Sequence, residues 1–199
     1  MNYLINKLLY GFSVQEVVLL MGVGYISWLV LGVVCEQKSL LWKRRWKLLN
    51  ICFCIASIFV IFKMTLIGRT PGERVVELRP FYTFATVSYN SGVYRTLLMN
   101  IFLFFPFGLT LPWGFAKSGN IKQKLVIDGL IGMGLSIAIE SIQYCFGIGR
   151  AEMDDVICNT LGCLFGSTSY YLCQLLKSIK NFVLKKINEF LKEIASTGG

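Results

Sequence analysis

The sequence predicts an all-α, polytopic transmembrane helix bundle of about five spans with a C-terminal amphipathic helix. Two observations support this fold class. The chain has 199 residues, of which 55% are hydrophobic and only 16% are charged, a more apolar balance than soluble domains show. The apolar residues also collect into runs of about 20 residues, which is long enough to cross a hydrocarbon core about 30 Å thick.

The predicted spans cover residues 14–34, 48–67, 95–115, 125–144 and 156–176. No small-residue cleavage site follows the first span, so we do not expect it to be a cleaved signal peptide. Pro106 and Pro112 fall in the third span, where each frees a carbonyl group that a neighbouring helix must bind. We therefore assign residues 1–176 to a transmembrane domain and residues 177–199 to a cytoplasmic, basic amphipathic tail.

Lysine placement predicts the orientation of the spans. Lysines concentrate in the links after the first and third spans and in the tail, and the positive-inside rule places these segments in the cytoplasm. The amino terminus, the segment 68–94 and the link 147–155 are then outside. Residues 75–86 are too aromatic for a solvated loop, so we expect them at the outer interface or folded back towards the spans.

Several classes of chemistry are excluded or disfavoured by composition. The chain has no histidine, which excludes Ser-His-Asp and Cys-His catalysis and histidine-liganded metals. Seven cysteines stand in apolar surroundings without a CxxC pair, which is typical of packing residues. The net charge of +9 follows from the positive-inside bias, and no nucleic-acid recognition motif accompanies it. We expect no nucleic-acid partner, no cofactor and no metal.

Polar residues interrupt the last two spans in a regular pattern. The residues of the first stripe are Gly132, Ser136, Glu140, Gln143 and Gly147, and those of the second are Asp155, Asn159, Gly162, Gly166 and Ser169. Spacings of three and four residues place each set along one helix face. A carboxylate inside a span is costly by several kcal/mol, so such residues usually have a function. We predict that the two stripes face one another and form one outward-opening polar pocket.

The pocket allows more than one role. In the first, it binds a head group: Arg79 and Arg150 contact anionic groups, and the other polar residues orient the ligand. The predicted ligand-binding residues are Arg79, Asn100, Ser136, Gln143, Arg150, Asp154 and Asn159. In the second, Glu140 and Asp155 act as catalytic acid and base.

Three further roles remain open. Glu140, Asp154 and Asp155 could hold a hard cation, since its preferred ligands are oxygen atoms. Glu140 could also relay protons, as intramembrane acids often do. Alternatively, Glu140 pairs with Arg150 or another outer arginine, and the polar residues only fix helix contacts.

The order of motifs resembles the VanZ-like family over residues 65–166. These motifs are LRPF from Leu78, N-x5-PFG from Asn100, S-x3-E-x2-Q from Ser136 and R-x3-DD-x3-N-x2-G-x3-G from Arg150. The resemblance implies a VanZ-like domain over residues 1–176 in a bacterial plasma membrane, and a link to resistance against teicoplanin, a lipidated glycopeptide that acts on the cell wall.

Two functional hypotheses follow from the resemblance. In the leading one, the protein contributes to glycopeptide resistance by binding a lipid-linked cell-wall precursor or a lipoglycopeptide, with membrane lipids as its other partners. In the alternative, it is a hydrolase or transferase acting on lipid-linked cell-wall substrates, with Glu140 and Asp155 as its acid–base pair. The sequence leaves open whether the protein is an enzyme.

Overall fold

The computed structural model describes residues 28, 40–67, 69, 71–72, 74–85, 91–114 and 119–197. This part of the chain is an all-α bundle with one pair of very short strands, so the predicted fold class is confirmed. Its elements are α1 (Leu40–Leu66), β1 (Val75–Glu77), α2 (Tyr82–Ala85), α3 (Ser91–Gly114), α4 (Ile121–Phe146), β2 (Arg150–Glu152) and α5 (Met153–Thr197). The predicted first span, residues 14–34, lies outside the described residues except for Trp28.

Three of the described helices are long and apolar enough to cross a membrane. They are Leu40–Leu66, Thr96–Gly114 within α3, and Ile121–Phe146. These helices confirm the spans predicted at residues 48–67, 95–115 and 125–144. Helix α1 begins at Leu40 rather than at residue 48, because the basic cluster 43–47 is also helical. Lysine and arginine are good helix formers, so an interfacial basic segment readily extends a span.

The predicted fifth span and the predicted tail form one continuous helix, α5, of 45 residues. The helix continues without a break across residue 177, where the sequence analysis divides the transmembrane domain from the tail. No glycine or proline occurs between Gly166 and the end of α5, so nothing breaks the helix there. At 1.5 Å per residue α5 is about 68 Å long, roughly twice the thickness of a hydrocarbon core. Its distal half, residues 178–194, is exposed throughout.

Glycines bring α3 and α5 into close contact. A Cβ atom on Gly162 would overlap the carbonyl oxygen of Ile101, and one on Gly108 would overlap that of Cys163. The Ser167 hydroxyl of α5 donates to the Gly108 carbonyl oxygen at 2.9 Å. Because Pro112 has no N–H to offer that carbonyl, Ser167 supplies the hydrogen bond that the proline removes.

The glycine contacts also correct one expectation about α5. The sequence predicts that Asp155, Asn159, Gly162, Gly166 and Ser169 all face the fourth span. In the structure Gly162 and Gly166 face α3, whereas Asn159 contacts α4 and the Ser169 hydroxyl bonds within its own helix. Helix α5 lies between α3 and α4, so residues with helical spacing are divided between two neighbours.

The loops at one end of the bundle are joined by backbone hydrogen bonds. Gly147 caps the carboxyl end of α4, and its left-handed backbone conformation (φ 63°) favours glycine. The Gly72 amide donates to the Gly147 carbonyl oxygen at 2.6 Å. Beyond it, β1 and β2 pair in parallel with Val75 opposite Arg150. The segment after α1 therefore folds back onto the α4–α5 link, one of the two arrangements expected for residues 75–86.

Candidate functional site

The polar residues of α4 point into the bundle at this end. Ser136, Glu140 and Gln143 are 0%, 6% and 3% exposed. A Glu140 carboxylate oxygen accepts a hydrogen bond from the Glu152 backbone amide at 3.1 Å. The Gln143 side-chain amide donates to the Thr65 carbonyl oxygen at 2.9 Å, near the end of α1. These two residues therefore connect α4 to β2 and to α1.

Helices α5 and α3 add the remaining members of the cluster. The Asn159 side-chain amide donates to the Ser136 hydroxyl at 2.8 Å. Asp155, one turn earlier on α5, lies beside the Asn100 side chain of α3 and interacts electrostatically with Glu140. The structure thus brings together six of the predicted site residues in what we call the polar cluster: Asn100, Ser136, Glu140, Gln143, Asp155 and Asn159.

The polar cluster has hydrogen-bonding capacity that its own packing does not use. Within the described residues, Gln143 Oε1 and Asn159 Oδ1 are buried and make no hydrogen bond. Buried amide groups usually have a partner, and atoms of this kind are favoured positions for water or a bound polar group. The cluster is therefore equipped to be hydrated or to contact a ligand.

Arg69 is a member of this site that the sequence did not single out. Its charge acts on both Glu140 and Asp155. A Cβ atom on Gly149 would stand 2.9 Å from Arg69 Nη1 and 3.3 Å from Gln143 Oε1, so both groups border that glycine. A cation here offsets the repulsion between two buried acids. Its position just after α1 is visible in the sequence, but the spacing alone does not distinguish it from the other arginines of the segment.

Asp154 binds its own chain. Its two carboxylate oxygens accept the backbone amides of Phe81 and Thr83, at 2.5 and 2.6 Å, and the residue is only 1% exposed. Phe81 has a positive φ of 62°, an unusual conformation for a non-glycine residue that this contact helps to hold. Asp154 therefore anchors the LRPF segment, a role that the sequence did not predict for it.

The two predicted anion-binding arginines lie outside the polar cluster and each pairs with a glutamate. Arg79 donates from Nε and Nη2 to Glu77 at 2.8 and 2.7 Å, and its guanidinium stacks 4.2 Å from the centre of the Tyr82 ring. This hydrogen bonding lowers the pKa of Glu77 to about 2, so the pair stays charged at neutral pH. Arg150 Nε lies 3.0 Å from a carboxylate oxygen of Glu152. Arg150 thus pairs with Glu152, whereas one of the sequence-based alternatives paired it with Glu140.

A groove of about 460 Å³ opens beside the polar cluster. It runs between the β1–β2 pair and one face of α4, and we call it the α4 groove. Its apolar walls are Val76, Leu78, Met133, Ile137, Tyr144, Ala151, Met153 and Val156, and its polar lining is Glu140, Ser141 and Glu152. The sequence predicted a polar pocket. The structure instead has a packed polar cluster whose edge, at Glu140, forms the polar part of an apolar groove.

The geometry does not support the shared-cation alternative. Within the described residues, no three acidic or cysteine side chains are arranged to hold a metal ion. At this site the carboxylate of Asp154 accepts the backbone amides of residues 81 and 83.

Comparisons with known proteins identify the family. The family model described as VanZ/LLP1 matches residues 48–174, which include the polar cluster and the α4 groove. "Protein VanZ" of Enterococcus faecium is 32% identical over 100 residues, covering 50% of this chain and 55% of that protein. The chain thus spans about half the length of this curated relative. No solved structure gives a significant match. Because the family match covers more than half of the chain, this membrane protein belongs to the VanZ/LLP1 family.

Proposed function

We propose that this protein is a bacterial cell-envelope membrane protein that reduces sensitivity to lipidated glycopeptides by binding an amphiphile in the α4 groove. The observation that carries the proposal is the groove itself. Its volume of about 460 Å³ falls within the usual range for small-molecule pockets, about 300–1,000 Å³. Its walls are apolar, and Glu140 and Glu152 provide carboxyl groups beside them.

The position of the groove favours a ligand that is already in the membrane. Ile137, Tyr144 and Leu78 are 47%, 41% and 65% exposed, so the walls face the surroundings of the bundle rather than its core. An acyl chain that moves from lipid into such a groove gains little hydrophobic free energy, because lipid tails are as apolar as the groove. Selectivity must then come from the head group and the polar lining beside it.

The remaining site residues support the groove. Asp154 fixes the LRPF segment, whose Leu78 forms part of one wall. The Glu152 backbone amide donates to Glu140, and the charge of Arg69 acts on it. In this arrangement Glu140 stands between the packed cluster and the groove, so a change in the cluster alters the ligand site.

We place the protein in the bacterial plasma membrane with the amino terminus outside, the carboxyl terminus in the cytoplasm and the α4 groove near the outer face. Two observations support this proposal. Lysines dominate the links at the opposite end of the bundle. The two segments predicted to be outside, 68–94 and 147–155, meet at one end through the β1–β2 pair.

A membrane enzyme acting on lipid-linked cell-wall substrates is the second candidate. It is favoured by the electrostatic contact between Glu140 and Asp155, since two neighbouring carboxyl groups in different surroundings can serve as acid and base. Replacing Glu140 by Gln separates the two candidates. An enzyme loses its activity while ligand binding persists, whereas a binding protein changes in affinity alone.

Antibiotic susceptibility tests the proposed function. Expression in a sensitive bacterial host is expected to raise the teicoplanin concentration that inhibits growth. Ile137→Trp, which fills the groove, should abolish that increase, and Val126→Trp on an exposed part of α4 outside the groove should preserve it. Membrane levels of each variant are measured by immunoblot. No increase with the unaltered protein, or an undiminished increase with Ile137→Trp, would refute the proposal.

A further inference from the structure

Two carboxyl groups, those of Glu140 and Glu152, line the α4 groove, and no lysine or arginine is found among the described residues that line it. The described arginines of this end are not part of that lining. Arg79 is held by Glu77, and Arg150 is 58% exposed and pairs with Glu152. Arg74 donates to the Cys145 carbonyl oxygen at 3.2 Å, and Arg69 adjoins Gly149, from where its charge acts on Glu140. The groove therefore differs from the anion-binding pocket that the sequence suggests.

Glu140 and Glu152 differ in their remaining capacity to bind. One Glu152 oxygen pairs with Arg150, and the other accepts the Thr83 hydroxyl at 3.2 Å. Among the described residues, Glu140 accepts one hydrogen bond, from the Glu152 backbone amide. A carboxylate offers about four acceptor positions, so Glu140 retains the larger capacity. It also lies on the same face of α4 as the apolar walls at Met133, Ile137 and Tyr144.

From this arrangement we infer that the α4 groove selects amphiphiles with a positively charged amine head group, whose ammonium donates to Glu140 while the chain lies along Ile137 and Met133. This inference rests on the proposed function and names its ligand class. An ammonium carries three donors and no acceptor, which matches a groove whose charged lining only accepts. Its charge also adds to that of Arg69 beside the buried Glu140 carboxyl group, which a neutral hydroxyl does not do.

The same arrangement disfavours an anionic head group. A phosphate in the groove would meet two carboxylates in surroundings of low dielectric constant, where repulsion is much stronger than in water. The two arginines that the sequence predicts to bind anions are already paired, Arg150 with Glu152 and Arg79 with Glu77. Both make ion pairs of 3.0 Å or less with these acids.

The experiment compares three amphiphiles with the same alkyl chain and different heads: an alkyl amine, an alkyl maltoside and an alkyl phosphate. The full chain is reconstituted into nanodiscs of zwitterionic lipid containing each probe at equal mole fraction, and retained probe is counted by native mass spectrometry. We expect at least about tenfold more retained amine than phosphate, with the maltoside between them. A tenfold difference is the effect that one charge-assisted hydrogen bond typically has on binding.

Two variants and one control separate the possible outcomes. Glu140→Gln should bring amine retention down to the level of the maltoside, whereas Glu189→Gln, the same change on the exposed part of α5, should have no effect. Ile137→Trp should reduce retention of all three probes. If Ile137→Trp changes none of them, the groove is not the binding site and the proposed function fails.

A different result would contradict the selection of amines without contradicting binding in the groove. If Ile137→Trp lowers retention but the unaltered protein keeps all three probes equally, or prefers the phosphate, the groove binds amphiphiles without selecting amines. This comparison uses the unaltered protein, so it remains decisive even if Glu140→Gln does not fold.

Discussion

The Glu140 carboxylate on α4 accepts the backbone amide of Glu152 in β2 at 3.1 Å. This bond connects the interior of a membrane-spanning helix to the strand pair at its end. Because Glu152 pairs with Glu77 across the two strands, the bond also links α4 to the LRPF segment that follows β1. A change at Glu140 therefore reaches both the polar cluster and one wall of the α4 groove.

The Glu140 contact can be tested at the Glu152 amide itself. Glu140→Ala removes the acceptor, so hydrogen exchange at this amide should become about 10- to 100-fold faster, the equivalent of about 1–3 kcal/mol for a lost hydrogen bond to a charged group. Glu140→Gln keeps an acceptor oxygen and should preserve most of the protection. Equal exchange rates in the two variants would show that the contact does not hold β2.

Asp154 provides a second local test, since it anchors residues 81 and 83 rather than a ligand. Asp154→Ala leaves the amides of Phe81 and Thr83 without their acceptor, which should loosen the segment from Leu78 to Ala85. Limited proteolysis in nanodiscs is expected to cut this segment faster in the variant. Glu189→Ala on the exposed part of α5 is the control and should be cut at the original rate. An unchanged rate in Asp154→Ala would contradict the anchoring role.

Close packing of α3 against α5 predicts the effects of single methyl groups. Gly162→Ala places a Cβ against the Ile101 carbonyl oxygen and should destabilise the protein by about 1–3 kcal/mol. Gly134→Ala on α4 meets no atom within 4 Å, so it should leave stability unchanged or raise it by up to about 1 kcal/mol. Thermal unfolding in detergent measures both. Equal effects of the two substitutions would show that α3 and α5 do not pack in this way.

The orientation of the bundle also has a direct test. In a cysteine-free background, single cysteines are introduced at Ser91 and Ser118, which flank the predicted third span in the sequence. A membrane-impermeant maleimide applied to intact cells should label position 91 and leave position 118 unlabelled. Position 118 belongs to the lysine-rich link between the third and fourth predicted spans, which the positive-inside rule assigns to the cytoplasm. Label at position 118 alone would invert the proposed orientation.

Much of the fold could be predicted because apolar runs of about 20 residues are a strong signal for spanning helices. The ends were less accurate. The basic cluster 43–47 belongs to α1, and the tail belongs to α5, because helices continue through charged interfacial residues when no glycine or proline stops them. The parallel pairing of β1 and β2 had no sequence signal, since three-residue strands carry no recognisable period.

The polar cluster could be predicted in part for the same reason. Spacings of three and four residues placed Ser136, Glu140 and Gln143 on one face of α4, and the structure has them there. On α5, however, Gly162 packs against α3 and Asn159 contacts α4. Residue spacing does not specify which helix lies on each side of α5, so these partners could not be predicted. The contribution of Arg69 and the use of Asp154 as an anchor arise from loop conformations that a single sequence does not encode visibly.

Photo-crosslinking tests the central claim, the binding of an amphiphile in the α4 groove, most directly. A photoreactive amino acid is placed at Ile137 in the groove or at Val126, another exposed position of α4 outside it. A lipoglycopeptide with a labelled tail is then added to cells. We predict saturable crosslinking at position 137 that unlabelled compound displaces, and weak, non-displaceable crosslinking at position 126. Equal, non-displaceable crosslinking at both positions would show contact with bulk membrane only and would contradict the account.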